Sequence, residues 1–252
     1  MQDQEITKKL ADFSRKNDYQ IGLLAFELTK EKNRLVFNSQ QIFPAASLIK
    51  LPLALAFFDS KKDLDEKVEI LEEDYFSGAG NLKKSRPKKL EIKKLLVALL
   101  QNSDNTAQNV LLRILGKRKF TAYLKKIKLT NTLFVSLREA TVKKFSLTSP
   151  EEIGKLAGAI SQNEFILQAL AKAPADQTAS FLTGRKYYHK IGRRLDSVSD
   201  FLIIKSRARI FVIVSMIKNI PLASLNSPEN KKRLNLLKNI NQQAFNYLRR
   251  KK

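Results

Sequence analysis

Cysteine is absent from this 252-residue chain, and histidine occurs once, at His189. Without a thiol, no disulfide can brace the fold and no cysteine can do chemistry, which is compatible with either side of a membrane. A single imidazole argues against a Ser-His-Asp triad as the default and against a histidine-rich metal site. Acidic side chains are scarce: 24 Asp+Glu stand against 47 Lys+Arg, a formal net charge of +23. Such a field attracts polyanions, whether nucleic acid, an anionic lipid surface or an anionic wall polymer. The lysines, however, are scattered in pairs such as Lys8-Lys9, Lys61-Lys62 and Lys125-Lys126, and no nucleic-acid motif accompanies them. The expectation is a solvated lysine-rich surface with non-specific polyanion binding at low salt and no specific nucleic-acid partner. Long apolar runs are missing as well. The longest, 51–58, is too short to span a bilayer and contains Pro52. The start, Met1-Gln2-Asp3-Gln4-Glu5, is polar and acidic, unlike a signal peptide. Either the protein is cytoplasmic or a leader has been removed from the sequence.

What the chain does have is a core. Hydrophobic residues make up 43% and charged residues 28%, a globular balance. Ile6, Leu10 and Phe13 recur at helical spacing over 6–17. Buried-strand patterns at 19–28 and 34–38 flank a polar turn and predict a hairpin. Helices are expected over 90–101, over 106–115 ending at Gly116, over 120–127, from Ser149 to about 160, and over 163–170. Residues 59–68 and 130–147 read as loops. Three strands follow at 187–192, 198–204 and 210–217, then a long amphipathic helix over 230–249. The fold class expected is α/β in two lobes within one domain, 1–252: an antiparallel sheet built from both chain ends and flanked by helices (about 1–50 plus 181–252), with an inserted all-helical lobe over about 51–180.

The stretch Phe43 to Phe58 places a polar pair, Ser47 and Lys50, at the mouth of an apolar run. Residues three apart share a helix face, so the hydroxyl and the amine can meet. An amine inside an apolar run loses solvation, which favours its neutral form, and a neutral amine can take a proton from the hydroxyl. The plainer alternative is a capping serine and a lysine that snorkels to water. Downstream lie Ser103-Asp104-Asn105 and Lys190-Ile191-Gly192. Singly, the first of these could cap a helix and Lys190 could be an ordinary strand-end lysine. His189 reads as a polar edge residue.

In this order, Ser47-Leu48-Ile49-Lys50, Ser103-Asp104-Asn105 and Lys190-Ile191-Gly192 resemble the S-x-x-K, S-D-N and K-T-G set of class A β-lactamases and penicillin-binding serine enzymes. The resemblance runs from about Tyr19 to Met216 and implies roles. Ser47 is the nucleophile that becomes acylated, and Lys50 accepts or relays its proton. Ser103 passes a proton to the departing amide nitrogen with help from Lys190. Asn105 holds Lys50 and the substrate side chain, and Lys190 attracts a substrate carboxylate. With Gly192 beside it, Arg193 joins Ser47 in supplying the backbone N–H groups of the oxyanion site. No metal or cofactor is implied. The implied partner is a β-lactam or a cell-wall peptide, the protein a monomer, and its location extracytoplasmic with the leader removed.

Two positions depart from the pattern. Ile191 stands where Thr or Ser is usual and cannot hydrogen-bond a carboxylate, at a cost of about 1–3 kcal/mol. Arg193, Arg194 and Arg207 are the candidates to compensate. The deacylating glutamate of the class A enzymes has one candidate, Glu139 in Leu137-Arg138-Glu139-Ala140, with the alternative that it pairs with a neighbouring lysine on the surface. A working Glu139 makes a β-lactam hydrolase. Its failure makes a penicillin-binding or D-alanyl-peptidase type of enzyme with slow deacylation. A third reading is a non-catalytic relative whose basic surface holds an anionic polymer.

Overall fold

The computed structural model describes residues 2–173, 177–219 and 222–251. Helix α1 (Gln2–Asn17) precedes the expected hairpin of β1 (Tyr19–Glu27) and β2 (Lys30–Phe37). A 3-10 turn (Ala46–Ile49) runs straight into α2 (Lys50–Asp59). The middle of the chain supplies α3 (Ile92–Gln101), α4 (Asn105–Leu115), α5 (Lys117–Lys126), α6 (Pro150–Gly154), α7 (Ala157–Gln162) and α8 (Glu164–Ala171). The end supplies β3 (Lys186–Arg194), β4 (Ser197–Ser206), β5 (Arg209–Asn219) and α9 (Pro228–Arg250). The five strands form one antiparallel sheet in the order β2-β1-β5-β4-β3. The two chain ends meet where β1 pairs with β5, from Tyr19↔Asn219 to Glu27↔Phe211.

Both faces of this sheet are covered, and the two-residue period of a strand explains why its inner strands are apolar at both parities. On β5, Phe211, Ile213 and Ile217 pack with Leu10 of α1 and with Leu234, Leu237 and Phe245 of α9. Their neighbours Val212, Val214 and Met216 point the other way, into a core with Leu51, Leu96 and Leu111 of the helical layer. The long closing helix is held by the burial of one face and capped by Ser227, whose hydroxyl accepts from the Asn230 N–H at 3.2 Å.

Three details differ from the sequence reading. The middle section is not all helix: Lys67–Glu69 pairs with Lys89–Glu91 as a short antiparallel ribbon, so α3 starts at Ile92 and not at 90. The helix opened by Ser149 and Pro150 breaks after Gly154 into α6 and α7. At Gly154 a Cβ would lie 2.4 Å from Leu24 Cδ2, so the helix end packs closely against the Leu24 side chain of β1. Within the 130–147 stretch, Leu133 bridges Leu147, and Leu147–Thr148 pairs with Phe43–Pro44, tying this loop to the segment before Ser47.

The edge strand β3 leans on the 3-10 turn. A Cβ on Gly192 would lie 3.2 Å from Ala46 Cβ and 3.3 Å from the Ala45 carbonyl oxygen. The Ser47 turn therefore sits where the sheet edge meets the helical layer.

Candidate active site

Ser47 is carried by the 3-10 turn, and Lys50 is the first residue of α2. Ala46, just before the serine, has φ 43°, a left-handed conformation that costs an L-residue about 1–2 kcal/mol. The turn brings the Lys50 amine back to within 3.3 Å of Ser47 Oγ. Lys50 is 1% exposed, its stem walled in by the helical core.

The α3–α4 connection supplies the other partners. Asp104 takes the capping role, accepting from the Ala107 N–H and the Leu82 N–H at 2.9 Å each. That frees its neighbours for Lys50. The Nζ donates to Asn105 Oδ1 at 2.8 Å and to Ser103 Oγ at 3.2 Å, and it also contacts the Ser103 carbonyl oxygen. Ser103 adopts φ 55°, which lets both of its oxygens face the amine. Asn105 is steadied from its other end, its Nδ2 donating to the Ser77 carbonyl at 2.9 Å. Gly80 closes this arrangement at φ 92°, where a Cβ would fall 2.0 Å from Asp104 Oδ2. Gly80→Ala is therefore expected to lower stability by more than the ~1–2 kcal/mol of the backbone strain alone, measured by denaturant unfolding. An unchanged midpoint would show that this turn does not brace Asp104.

Four oxygens thus surround one nitrogen. An ammonium has three N–H donors; a neutral amine has two and a lone pair. Burial pulls the Lys50 pKa well below the usual lysine range, and the nearby Lys190 charge lowers it further, with Asp104 opposing. A neutral Lys50 can donate to Asn105 and Ser103 and accept the Ser47 hydroxyl proton. Lys190, 3% exposed on β3, is lowered to about 7, again by burial first, with Asp200 opposing. Its Nζ reaches the Ile191 carbonyl at 3.5 Å.

These groups line one cavity of about 600 Å³. Arg193 and Arg194, joined by Lys190 below about pH 7, make it cationic, Val135, Leu137, Phe145, Ile191 and Leu225 make much of its wall apolar, and among the described residues no carboxylate lines it. Such a site suits an anionic ligand with an apolar side.

Of the residues expected from sequence, Ser47, Lys50, Ser103, Asn105, Lys190 and Arg193 line this cavity together. Gly192 is buried beside it, where its lack of a Cβ lets β3 approach Ala45 and Ala46. Glu139 is not in it. Its carboxylate faces solvent and is held by Lys117 at 2.6 Å, which keeps its pKa below the usual glutamate range. The arrangement seen is the surface ion pair, because the loop turns Leu137 and Ala140 to the cavity and Glu139 away from its lining. His189 lies on the edge strand but is buried, with Nδ1 3.8 Å from Asp200 Oδ1. Of the proposed substitutes for the hydroxyl missing at Ile191, Arg207 sits in the β4–β5 turn at the far end of β4 from the Arg194–Ser197 pair. Arg194 is tied to Asp196 at 2.5 Å and stacks over Phe145 at 3.7 Å.

The wall formed by Val135, Leu137 and Phe145 was missed, since nothing in an irregular stretch marks which residues turn inward. Asp200 was missed too, although a carboxylate inside Val198-Ser199-Asp200-Phe201-Leu202 was a visible signal. It is fully buried and accepts from Asn241 Nδ2 at 3.2 Å, behind Lys190.

A model of the β-lactamase enzyme family matches residues 5–248. Among solved structures, PBP-A is 24% identical at a TM-score of 0.82, covering 97% of this chain and 96% of that one. A PBP-A variant in acyl-enzyme complex with penicillin G is 23% identical at 0.81, with the same coverage. A β-lactamase from Sphaerobacter thermophilus DSM 20745 is 17% identical at 0.81, covering 96% and 97%. At these identities the likeness to the solved structures bears on the fold.

Proposed function

Because this chain belongs to the β-lactamase enzyme family, we propose that it is a serine enzyme of the penicillin-binding kind, acylated at Ser47 by β-lactams or cell-wall peptides and slow to release the acyl group. Lys50 takes the Ser47 proton as Oγ bonds to the carbonyl carbon. The developing oxyanion faces the backbone N–H groups of Ser47 and Arg193. Ser103 then gives its proton to the amide nitrogen as the C–N bond breaks, and Lys190 or Lys50 restores that proton. Lys190 and Arg193 attract the substrate's anionic group, partly offsetting the hydroxyl missing at Ile191.

The observation that carries the reading is the convergence of Ser47, Ser103 and Asn105 on one buried amine in a cavity whose described lining holds no carboxylate. Acylation needs the first feature. Rapid hydrolysis of the ester needs a base for water, and the apolar wall at Val135 and Leu137 offers none. The test is intact-protein mass spectrometry with a fluorescent penicillin. A lasting adduct supports this reading, a transient one indicates efficient β-lactam hydrolysis, and no adduct indicates a non-catalytic relative.

Glu139 supplies a separate check. Glu139→Gln is expected to leave the lifetime of the acyl-enzyme unchanged within twofold (roughly 0.4 kcal/mol). A marked lengthening, followed by mass spectrometry over time, would return Glu139 to the deacylation step.

A further inference from the structure

Among the described residues eight large apolar side chains stand exposed, and four of them lie on segments linked to the cavity wall at Arg194 or, for Leu225, line the cavity itself. They are Val142 at 57%, Leu195 at 38%, Leu222 at 51% and Leu225 at 44% exposure. Three separate segments bring them together. Arg194 donates to the Val142 carbonyl, the Ala223 N–H donates to the Leu195 carbonyl at 2.7 Å, and Leu225 lines the cavity beside Arg193 and Arg194. None of the four covers a core, and each costs solvation where it stands. A concentration of such residues around one opening marks an interaction surface.

The exposed charge around them is mainly positive, although Lys232 lies 4.0 Å from Glu229. Exposed Lys143 and Lys144 follow Val142, and Lys218 is paired in register with Ser197 at the turn that carries Leu195. Exposed Lys231 and Lys232 lie in the first turns of α9. The nearby acids are engaged: Asp196 is buried against Arg194, and Glu229 accepts from Tyr19 Oη at 2.7 Å and from Asn219 Nδ2 at 3.0 Å. An apolar centre inside a cationic ring matches a layer that is anionic at its surface and apolar just beneath. No described helix is long and apolar enough to cross a membrane, so such contact is peripheral.

We infer that the rim of the cavity docks on an anionic lipid bilayer, with Val142, Leu195, Leu222 and Leu225 entering the interface and the lysines meeting headgroup phosphates. The cavity then opens at the headgroup layer, and its substrates arrive along the membrane surface. The inference stands apart from the serine chemistry.

The test is co-sedimentation with vesicles of phosphatidylcholine alone and of phosphatidylcholine mixed with phosphatidylglycerol. Wild type is expected on the mixed vesicles and not on phosphatidylcholine alone. The combined variant Val142→Ser, Leu195→Ser, Leu222→Ser, Leu225→Ser keeps the net charge and is expected to bind about tenfold or more weakly, from the apolar area lost. A control with Phe13→Ser, Ile42→Ser and Leu133→Ser, exposed apolar residues elsewhere, is expected to bind as wild type does. Ser47→Ala is also expected to bind as wild type, so a failure of docking and a failure of the catalytic reading are told apart. Matching thermal unfolding of all variants establishes that they are folded. Lys143→Gln with Lys144→Gln gives a second arm, with weaker binding and a shallower salt dependence expected. Equal binding by wild type and the combined serine variant would reduce the attraction to general surface charge and overturn the inference, as would no binding by wild type. Loss of polyphosphate binding in the serine variant, with vesicle binding intact, would assign the rim to a soluble anionic polymer instead.

Discussion

Ser47→Ala is expected to abolish the penicillin adduct: after incubation, intact-protein mass spectrometry should show only the unmodified mass of the variant, while wild type should gain one ligand. The reason is the absence of Oγ, the atom that the proposed reaction bonds to the carbonyl carbon. The expectation is sharp because a rival hydroxyl lies close by. Ser103 Oγ is 3.2 Å from the same Lys50 amine that is 3.3 Å from Ser47 Oγ, so nearness to a base does not tell the two apart. What separates them is setting. Ser47 lies on the turn that β3 abuts at Gly192, where backbone N–H groups can face an oxyanion. Ser103 lies on the opposite wall, in the α3–α4 connection, placed to deliver a proton. A label that persists in the variant, mapped to Ser103, would reverse these roles. Ser47 is small and only partly buried, so the variant is expected to unfold within ~0.5 kcal/mol of wild type.

Lys50→Met is expected to slow acylation by about 10²–10⁴-fold, the usual contribution of a positioned general base. Methionine keeps the apolar length of the stem and removes the amine. Stability moves much less, because relief of the buried amine's desolvation offsets the donors lost by Ser103 and Asn105. Thermal unfolding beside stopped-flow acylation separates the two effects. A loss of rate that merely tracks a loss of folded protein would leave Lys50 a structural residue. The pH profile of wild type adds a check with a definite sign. With its pKa well below the lysine value of 10.5, Lys50 is already neutral at pH values where a free lysine is charged, so acylation does not wait for alkaline pH. Lys190, at about 7, is charged below that pH and loses its charge above it. Half-saturating concentrations of an anionic penicillin therefore rise as pH climbs through 7. A rate that keeps increasing toward pH 10 would mean that neither amine is perturbed as the geometry requires.

Much of this is legible in the sequence. Continuous apolar runs set out the strands, and Ser149, Pro150 and Gly116 marked helix ends through local backbone chemistry that needs no distant partner. Ser47 and Lys50 could be paired because three residues span one helical turn. The Ser103-Asp104-Asn105 triplet offered both capping and catalysis. The fold divides the two, giving the cap to Asp104 and the amine contacts to Ser103 and Asn105.

What the sequence by itself determined is what short-range physics controls: the elements, the apolar faces, the excess of positive charge, and the identity of the amines and hydroxyls available for chemistry. Only the tertiary structure decided which groups share a space. The Lys50 pKa falls because the helical core removes its water and Lys190 arrives from a strand 140 residues later in the chain. Glu139 lies outside the cavity lining because an irregular loop turns Leu137 inward and gives the carboxylate to Lys117. Side-chain direction in such a loop depends on contacts far away in sequence, and no periodicity records them.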